Sequence, residues 1–184
     1  MTSLLAISGS PSADSRTALV TREIVRRLSL TGFDVGHLNV RDLPAPDLLA
    51  ARTGGVEMRR ALDAVASAEG VVIATPVYKA AYSGLLKTFL DLLPQSGLAG
   101  KTVLPLATGG STAHVLTIDY ALRPVLAALG ARHVVAGCFL LDQAIERRPD
   151  RSAWLQPEAE LRLFQAVDDF VEALPVSAAT IAAP

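Results

Sequence analysis

The sequence predicts an α/β fold, namely a doubly wound, five-stranded parallel sheet with helices on both faces. Short apolar runs alternate with helical segments along the chain. The run Val71–Ala74 is continuously apolar, which is typical of a parallel strand buried on both faces. Loops rich in Ser, Gly and Pro follow the first, third and fourth runs. Right-handed crossovers between parallel strands then place helices on both sides of the sheet.

Length and composition restrict the number of domains and the kinds of molecule that the protein can bind. The 184 residues suit one domain, which we expect to span residues 1–174, followed by a disordered Ala- and Ser-rich tail at 175–184. The net charge is −1, with 17 basic and 18 acidic residues interspersed. This pattern argues against nucleic acid or a membrane as a partner. Because 51% of the residues are hydrophobic, which is high for a monomer of this size, we expect some of the apolar surface to form subunit contacts.

Cysteine and histidine usage excludes some chemistries. Cys138 is the single cysteine, so no internal disulfide can form, and the three His residues have no metal-ligand spacing. Cys138 lies in an apolar context and is interpreted as inert core. The first residues lack the basic region of a secretory signal, so we expect a cytoplasmic protein.

The first half of the chain predicts three strands and two helices. Leu4–Ile7 is the first strand, and helical periodicity follows over residues 18–30. Phe33–Val40 alternates like a half-exposed edge strand, and the proline-containing Leu43–Asp47 predicts a loop. A helix is predicted over residues 57–68, before the strand Val71–Ala74, with an inward face made of Met58, Leu62 and Val65.

The next segments continue the alternation. After a loop at residues 75–84, Leu85–Leu93 predicts a helix that Pro94 stops, with Leu86, Phe89, Leu90 and Leu93 on its apolar face. The fourth strand, Thr102–Ala107, contains Pro105. Since proline lacks a backbone N–H donor, we expect irregular strand pairing there.

A long helix is predicted over His114–Leu129 and ends at Gly130. Pro124 lies inside it, and its ring conflicts with the carbonyl of Tyr120. We therefore expect a kink or a π-bulge between these residues. Tyr120 lies about 200° around the helix from Ile118 and should face away from the core. The predicted core stripe is Val115, Ile118, Leu122, Val125 and Leu129.

The remainder supplies one strand and one helix. The fifth strand is predicted within His133–Leu141, and residues 142–157 are expected to form a polar loop. The final helix is predicted over residues 158–174, with an apolar face made of Leu161, Phe164, Val167 and Val171.

The loop after the first strand, Ser8–Thr17, predicts a phosphate site. The N-terminus of the following helix offers unpaired N–H groups and a positive dipole end. Hydroxyls and the Arg16 guanidinium can donate hydrogen bonds to phosphate oxygens. A terminal monophosphate is the expected ligand, although simple helix capping and a turn at Pro11 are an alternative. The hydroxyl donors are Ser10, Ser12, Ser15 and Thr17.

The loops after the third and fourth strands predict a slot for a planar ring. Pro76 and Val77 are apolar, Tyr78 can stack, and Gly109 and Gly110 permit close approach. A helix starting after Gly110 would stabilise negative charge on a reduced flavin ring. Flavin mononucleotide (FMN) carries both a monophosphate and such a ring. A packed turn around Tyr78, with Lys79 as an ordinary surface lysine, is the alternative.

Three segments of this chain resemble one known family, the NADPH-dependent FMN reductases, and most closely the subgroup that supplies reduced flavin to alkanesulfonate monooxygenases. The segments are Ala74–Gly84, Leu104–Gly110 and Asp119–Leu126. The resemblance implies a flavodoxin-like fold, hydride transfer from NADPH to FMN, a dimeric or tetrameric assembly and a flavin-dependent monooxygenase as a possible partner. It also implies a π-helical insertion at Tyr120.

The resemblance carries residue roles over to this chain. It implies that the FMN phosphate is held by Ser10, Ser15, Arg16 and Thr17, and that the two edges of the ring are lined by Pro76, Val77, Tyr78 and Lys79 on one side and Thr108, Gly109 and Gly110 on the other. Ser12 stands where relatives often carry a basic residue.

Two other functions remain open from the sequence. A flavodoxin-type electron carrier would hold FMN tightly and pass single electrons, but such carriers have strongly acidic surfaces, and this chain is nearly neutral. The other alternative is an FMN-bound reductase of quinones or azo dyes. No catalytic triad is expected for the flavin reductase, because hydride transfer needs stacking and orientation rather than a protein acid or base.

Overall fold

The computed structural model describes residues 2–12, 14–150 and 152–175. The strands are β1 Ser3–Ser8, β2 Asp34–Asn39, β3 Gly70–Pro76, β4 Thr102–Gly109, β5 His133–Val134, β6 Cys138–Leu141, β7 Ile145–Arg147 and β8 Ala153–Leu155. The α-helices are α1 Arg16–Leu30, α2 Ala45–Leu49, α3 Val56–Ser67, α4 Gly84–Leu90, α5 Arg123–Ala128 and α6 Pro157–Glu172.

A parallel sheet organises the chain in the order β2-β1-β3-β4, and β5 and β6 share the fifth position beside β4. This order is that of flavodoxin-like proteins, so the predicted fold class is confirmed. The expected edge position of β2 is also confirmed. The tail at 175–184 lies outside the described residues apart from Pro175, and the domain boundary stays a prediction.

The sheet separates two apolar layers. One layer packs α2, α3, α4 and the helical segment after β4 around Met58, Phe89 and Leu126. The other packs α1 and α6 around Ile24 and Phe170. The predicted inward faces of the helices at 57–68 and 85–93 are confirmed, since Met58 and Phe89 are fully buried. No helix of the described residues is long and apolar enough to cross a membrane.

Pro105 explains why the fifth strand is divided. The ladder between β3 and β4 runs through Pro105 without a break. On the other side of β4, pairing stops after Val103 and resumes at Leu106. Val103 accepts a hydrogen bond from Val135 on that side, so Pro105, two residues further along, turns its missing N–H the same way. The predicted irregular pairing is therefore confirmed.

The helical segment after β4 is irregular, as Pro124 predicts. A 3₁₀ turn at Thr112–His114 leads to a π-helix at Ile118–Leu122 and then to α5. The Arg123 N–H bonds the Ile118 carbonyl, five residues back. Tyr120 is 79% exposed, as expected. Val115 is 49% exposed, so its predicted place in the core stripe is wrong, because the 3₁₀ and π-helical turns interrupt the α-helical period.

Three other expectations need correction. Residues 43–47 were expected to be a loop, but α2 begins at Ala45, since a proline in the first helical turn needs no N–H donor. Residues 142–157 include a 3₁₀ turn and the β7–β8 hairpin instead of a polar loop, because Ile145 and Leu155 are buried. Leu161 is 70% exposed, because the buried face of α6 is formed instead by Ala159, Leu163, Ala166, Val167 and Phe170.

Candidate flavin site

The loops after β1, β3 and β4 meet at the carboxyl ends of three adjacent strands, as the sequence predicts. The Gly9 N–H donates to the Ala74 carbonyl at 2.8 Å, and the Val77 N–H donates to the Thr108 carbonyl at 2.8 Å. This edge, beside the switch point between β1 and β3, is where ligands bind in such sheets.

The first loop presents hydroxyl donors at the start of α1. Ser15 caps this helix, and its Oγ accepts the Ala18 N–H at 3.3 Å. The Ser10 hydroxyl is buried and accepts the Ser12 N–H at 3.3 Å. A hydroxyl that accepts in this way still has its own proton to donate. The first turn of α1 contains no acidic residue that would compete with an anion.

Ser8 at the carboxyl end of β1 was missed from the sequence. Its hydroxyl is buried and has no hydrogen-bond partner among the residues that the structure describes. Buried polar atoms normally have a partner, so this hydroxyl is an exception at the point where the loop begins. The signal in the sequence was its position as the last residue of an otherwise apolar run.

Thr17 has a partner different from the expected one. Its Oγ1 lies 2.7 Å from Thr108 Oγ1, and both side chains are buried. Thr17 therefore connects the start of α1 to the end of β4 beneath the loops. Its predicted role as a phosphate ligand stays a prediction.

Arg16 is held by the β7–β8 hairpin. Its Nε donates to the Ile145 carbonyl at 3.2 Å, and the two Nη atoms have no partner in the described part of the chain. A cleft of about 410 Å³ lies between α1 and the hairpin. It is lined by Asp14, Arg16, Leu19, Ile145, Glu146 and Arg147. The free Nη atoms can donate to phosphate oxygens.

The second loop combines buried and strained residues. Thr75 and Pro76 are buried within β3 rather than in the predicted loop. Beyond Val77, a tight turn joins Tyr78 and Ala81 by two backbone hydrogen bonds. Lys79 has φ 51°, and Ala80 has φ 62°. Residues other than glycine rarely adopt this left-handed backbone conformation. Backbone strain of this kind is found most often at ligand sites.

The third loop offers open space beside a close contact. A Cβ on Gly109 would lie 3.1 Å from the Phe139 ring, so this glycine lets the ring pack against the backbone. A Cβ on Gly110 would have nothing nearer than 3.9 Å. The predicted helix after Gly110 starts as a 3₁₀ turn of three residues, so its dipole at the slot is smaller than the sequence suggests.

Ser83 connects the loop after β1 to the end of β3 and was missed from the sequence. It caps α4 by accepting the Leu86 N–H at 3.0 Å, and its Oγ donates to the Gly9 carbonyl. Its N–H donates to Thr75 Oγ1 at 2.9 Å. The site is therefore built on buried hydroxyl contacts that fix the loops before any ligand binds. The sequence signal was a serine followed by Gly84 at a helix start.

An exposed apolar surface adjoins the ring slot. It consists of Leu116 and Tyr120, together with the half-exposed Tyr78 of the neighbouring turn. Val115 is also exposed, but it lines a different depression with Cys138 and Arg162. A depression of about 460 Å³ between Ala80 and the π-helix lies within it. The Thr117 hydroxyl donates to the Ala80 carbonyl at 3.3 Å and so joins this surface to the strained turn.

Cys138 lines neither the cleft beside Arg16 nor the depression beside Ala80. Its thiol is buried in β6, and burial raises the pKa to about 11, although Arg162 opposes this. The thiol is therefore protonated at neutral pH, in agreement with its interpretation as inert core.

The sheet order and the three loops at its carboxyl edge define an α/β protein of the flavodoxin-like class. A flavodoxin from Streptococcus pneumoniae with 16% identity shares this fold at a TM-score of 0.61, over 95% of this chain and all of the flavodoxin chain. A solved apo structure of an NADH:FMN oxidoreductase (EmoB) is more similar, with 41% identity and a TM-score of 0.88 over 98% of this chain and 94% of that one.

Residues 2–146 match the NADPH-dependent FMN reductase family. An FMN reductase (NADPH) from Pseudomonas putida is 44% identical over 93% of this chain and 87% of its own length. An FMN reductase (NADPH) from Escherichia coli is 41% identical over 93% of this chain and 89% of its own length. The chain belongs to the NADPH-dependent FMN reductase family, and it is accordingly a flavin oxidoreductase with FMN and NADPH as its ligands.

Proposed function

We propose that the three loops form the site where NADPH reduces FMN. The observation that carries this proposal is the position of Arg16 and the hydroxyl loop at the N-terminus of α1, next to the loops after β3 and β4, which the bond between Val77 and Thr108 joins. A monophosphate suits the first feature and a flat ring suits the second. The donors fit FMN because the first turn of α1 has no competing carboxylate.

In this proposal the protein binds FMN, orients its ring and shields the ring from water. Ser10, Ser15 and Arg16 hold the phosphate, while Pro76 to Lys79 line one edge of the ring and Thr108 to Gly110 line the other. Bound flavin supplies the electrophilic ring that accepts hydride from nicotinamide. Tyr78 is 48% exposed beside the slot, so it is available to contact a second planar ligand. No side chain has to move a proton in the first step.

We also propose that reduced FMN leaves for a flavin-dependent monooxygenase in the cytoplasm. The sequence resemblance to the sulfonate-linked reductases supports this role. An NADH-dependent FMN reductase, SfnF, from Pseudomonas putida is 31% identical over 96% of both chains. A loop that offers hydroxyls and one arginine to the phosphate is also suited to moderate affinity and release.

A homodimer or homotetramer is part of the proposal. Leu116 and Tyr120 are exposed at the depression beside Ala80, and Tyr78 is half-exposed in the neighbouring turn. Apolar surfaces of this kind on a small domain mark protein contacts. A second copy bound there would also shield the ring slot from water.

NADPH oxidation tests the proposed function. The purified protein is assayed with FMN, FAD, riboflavin, a quinone and an azo dye as acceptors, and its absorption spectrum reports bound flavin. We expect rapid turnover with free FMN. Tight, non-exchangeable FMN without FMN-dependent turnover would instead identify an electron carrier. Turnover with quinone or azo dye but not with free FMN would identify an FMN-bound reductase of quinones or azo dyes.

A further inference from the structure

The β7–β8 hairpin contacts the phosphate loop at two points. The carbonyl of Ile145 accepts from Arg16 Nε, and the Arg147 guanidinium forms an ion pair with the Asp14 carboxylate. The hairpin also packs on α1 through the buried side chains of Ile145 and Leu155. It is therefore anchored by apolar contacts while its polar groups reach the loop.

The first contact sets the direction of the Arg16 guanidinium. Because Nε is bound to a backbone carbonyl, the planar group cannot rotate freely, and both Nη atoms stay available. A guanidinium fixed in this way loses less entropy when it binds a phosphate in a bidentate manner. The apolar anchors of the hairpin thus keep the main cation of the loop in place.

The second contact pairs Arg147 with Asp14, whose negative charge is unfavourable for binding a phosphate. Asp14 lies in the phosphate loop two residues before Arg16, and its side chain is 80% exposed. A free carboxylate there would repel a phosphate group that carries about −1.5 to −2 charges. Arg147 neutralises this carboxylate. An ion pair at the surface contributes little to the stability of the fold. We therefore expect the pair of Arg147 and Asp14 to affect ligand binding instead.

We propose that the β7–β8 hairpin belongs to the phosphate site and that Arg147 is a positioning residue that determines phosphate affinity by neutralising Asp14. This inference rests on the proposed function, in which the loop binds the phosphate of FMN. The hairpin makes the protein prefer a phosphorylated flavin over one without phosphate. Arg147 Nη1 donates to the Asp14 carboxylate, so the charge of Arg147 acts on the phosphate by way of Asp14 in this proposal.

The test compares dissociation constants for FMN and riboflavin, measured by quenching of flavin fluorescence in the full chain. Riboflavin has the same ring and lacks the phosphate, so the ratio of the two constants isolates phosphate recognition. The variants are Arg147→Gln, Asp14→Asn, the double variant and Arg147→Lys. Arg148→Gln is the matched control, because it removes the same charge from the neighbouring position of the hairpin. Thermal unfolding confirms that each variant is folded.

Arg147→Gln is expected to weaken FMN binding relative to riboflavin by on the order of threefold to tenfold, since a single surface charge acts through water. Raising the salt concentration should shrink this loss. The double variant should return to within about twofold of the parent, because the repelling carboxylate is gone. Arg147→Lys should retain most of the preference, and Arg148→Gln should leave the ratio unchanged.

Three results would overturn the inference. Equal losses for FMN and riboflavin in Arg147→Gln would indicate a purely structural hairpin. Failure of Asp14→Asn to restore FMN binding when it is combined with Arg147→Gln would indicate that Arg147 acts without Asp14. An equal effect of Arg148→Gln would indicate non-specific attraction. If the parent protein itself binds riboflavin as tightly as FMN, the phosphate assignment in the proposed function is wrong, which is a separate outcome.

Discussion

Thr17 Oγ1 and Thr108 Oγ1 lie 2.7 Å apart in the interior, although 91 residues separate them in the chain. This contact joins the helix behind the phosphate loop to the strand that ends at the ring slot. Either hydroxyl can donate, and both side chains are buried. The two halves of the proposed FMN site therefore have a direct mechanical connection.

Thr17→Val is expected to lower the free energy of unfolding by about 1–3 kcal/mol, because it leaves the Thr108 hydroxyl buried without a partner. The double variant with Thr108→Val should lose less than the sum of the single losses. Urea unfolding measures both, with Thr53→Val at an exposed position as the control. A loss of FMN affinity without any loss of stability would instead support Thr17 as a phosphate ligand.

Arg16→Ala is expected to weaken FMN binding by about 1.5–3 kcal/mol, the range for a hydrogen bond to a charged group. The fold should survive, because Arg16 contributes one surface contact to the hairpin. Flavin titration measures the change. Arg26→Ala on the same helix is the control, since Arg26 is exposed and pairs with Glu23. Unchanged FMN affinity in folded Arg16→Ala would remove the phosphate-loop assignment.

Tyr120→Ala is expected to change oligomeric state and flavin retention together. Tyr120 projects from the π-helix into the apolar surface beside the ring slot, and no core residue is lost. Sedimentation velocity and the spectrum of bound flavin are the measurements. Leu161→Ala, on an exposed face of α6, is the control. If Tyr120→Ala matches the parent protein in both measurements, Tyr120 has no role in assembly or in the site.

His37 predicts a small dependence of stability on pH, because its side chain is exposed to solvent at the β2 edge of the sheet. Desolvation lowers its pKa first, and the Arg22 charge lowers it further, while Asp42 opposes the shift. The unfolded state therefore takes up the proton more readily than the folded state, so stability is present above pH ~6.5 and is lost as the pH falls below it. His37→Gln should flatten this loss in unfolding curves between neutral and mildly acidic pH. His133→Gln, on the opposite edge of the sheet, is the control.

Cys138 predicts slow alkylation in the folded protein. Its buried thiol has a pKa raised to about 11, so little reactive thiolate exists at neutral pH. Iodoacetamide should modify Cys138 at least tenfold faster in urea than in buffer, as measured by mass spectrometry. Similar rates in both conditions would show that the strand around Cys138 opens readily.

The sequence predicted the strands of the parallel sheet and the three loops because these depend on local patterns. Continuous apolar runs mark buried parallel strands, and Ser, Gly and Pro mark the loops that follow them. The π-helix was also predictable, since Pro124 creates a conflict with one identifiable carbonyl. These features follow from backbone chemistry within a few residues.

The missing parts depend on distant contacts. The hairpin was not predicted, because its strands of three residues gain their stability from Ile145 and Leu155 packing on α1. The pairing of Thr17 with Thr108 requires two positions 91 residues apart to meet. The hydrophobic periodicity of a short segment indicates neither the hairpin nor the contact between the two threonines. The exposure of Val115 was missed because an irregular helix changes which positions face the core.

The divided fifth strand also affects how this sheet behaves toward other chains. An uninterrupted edge strand is a template on which a strand from a neighbouring molecule can add. Here the edge offers one segment of two residues and one of four, with Val135 to Gly137 between them. Neither segment reaches the typical strand length of five or six residues. By removing one donor from β4, Pro105 leaves this edge of the sheet poorly suited to aggregation through strand addition.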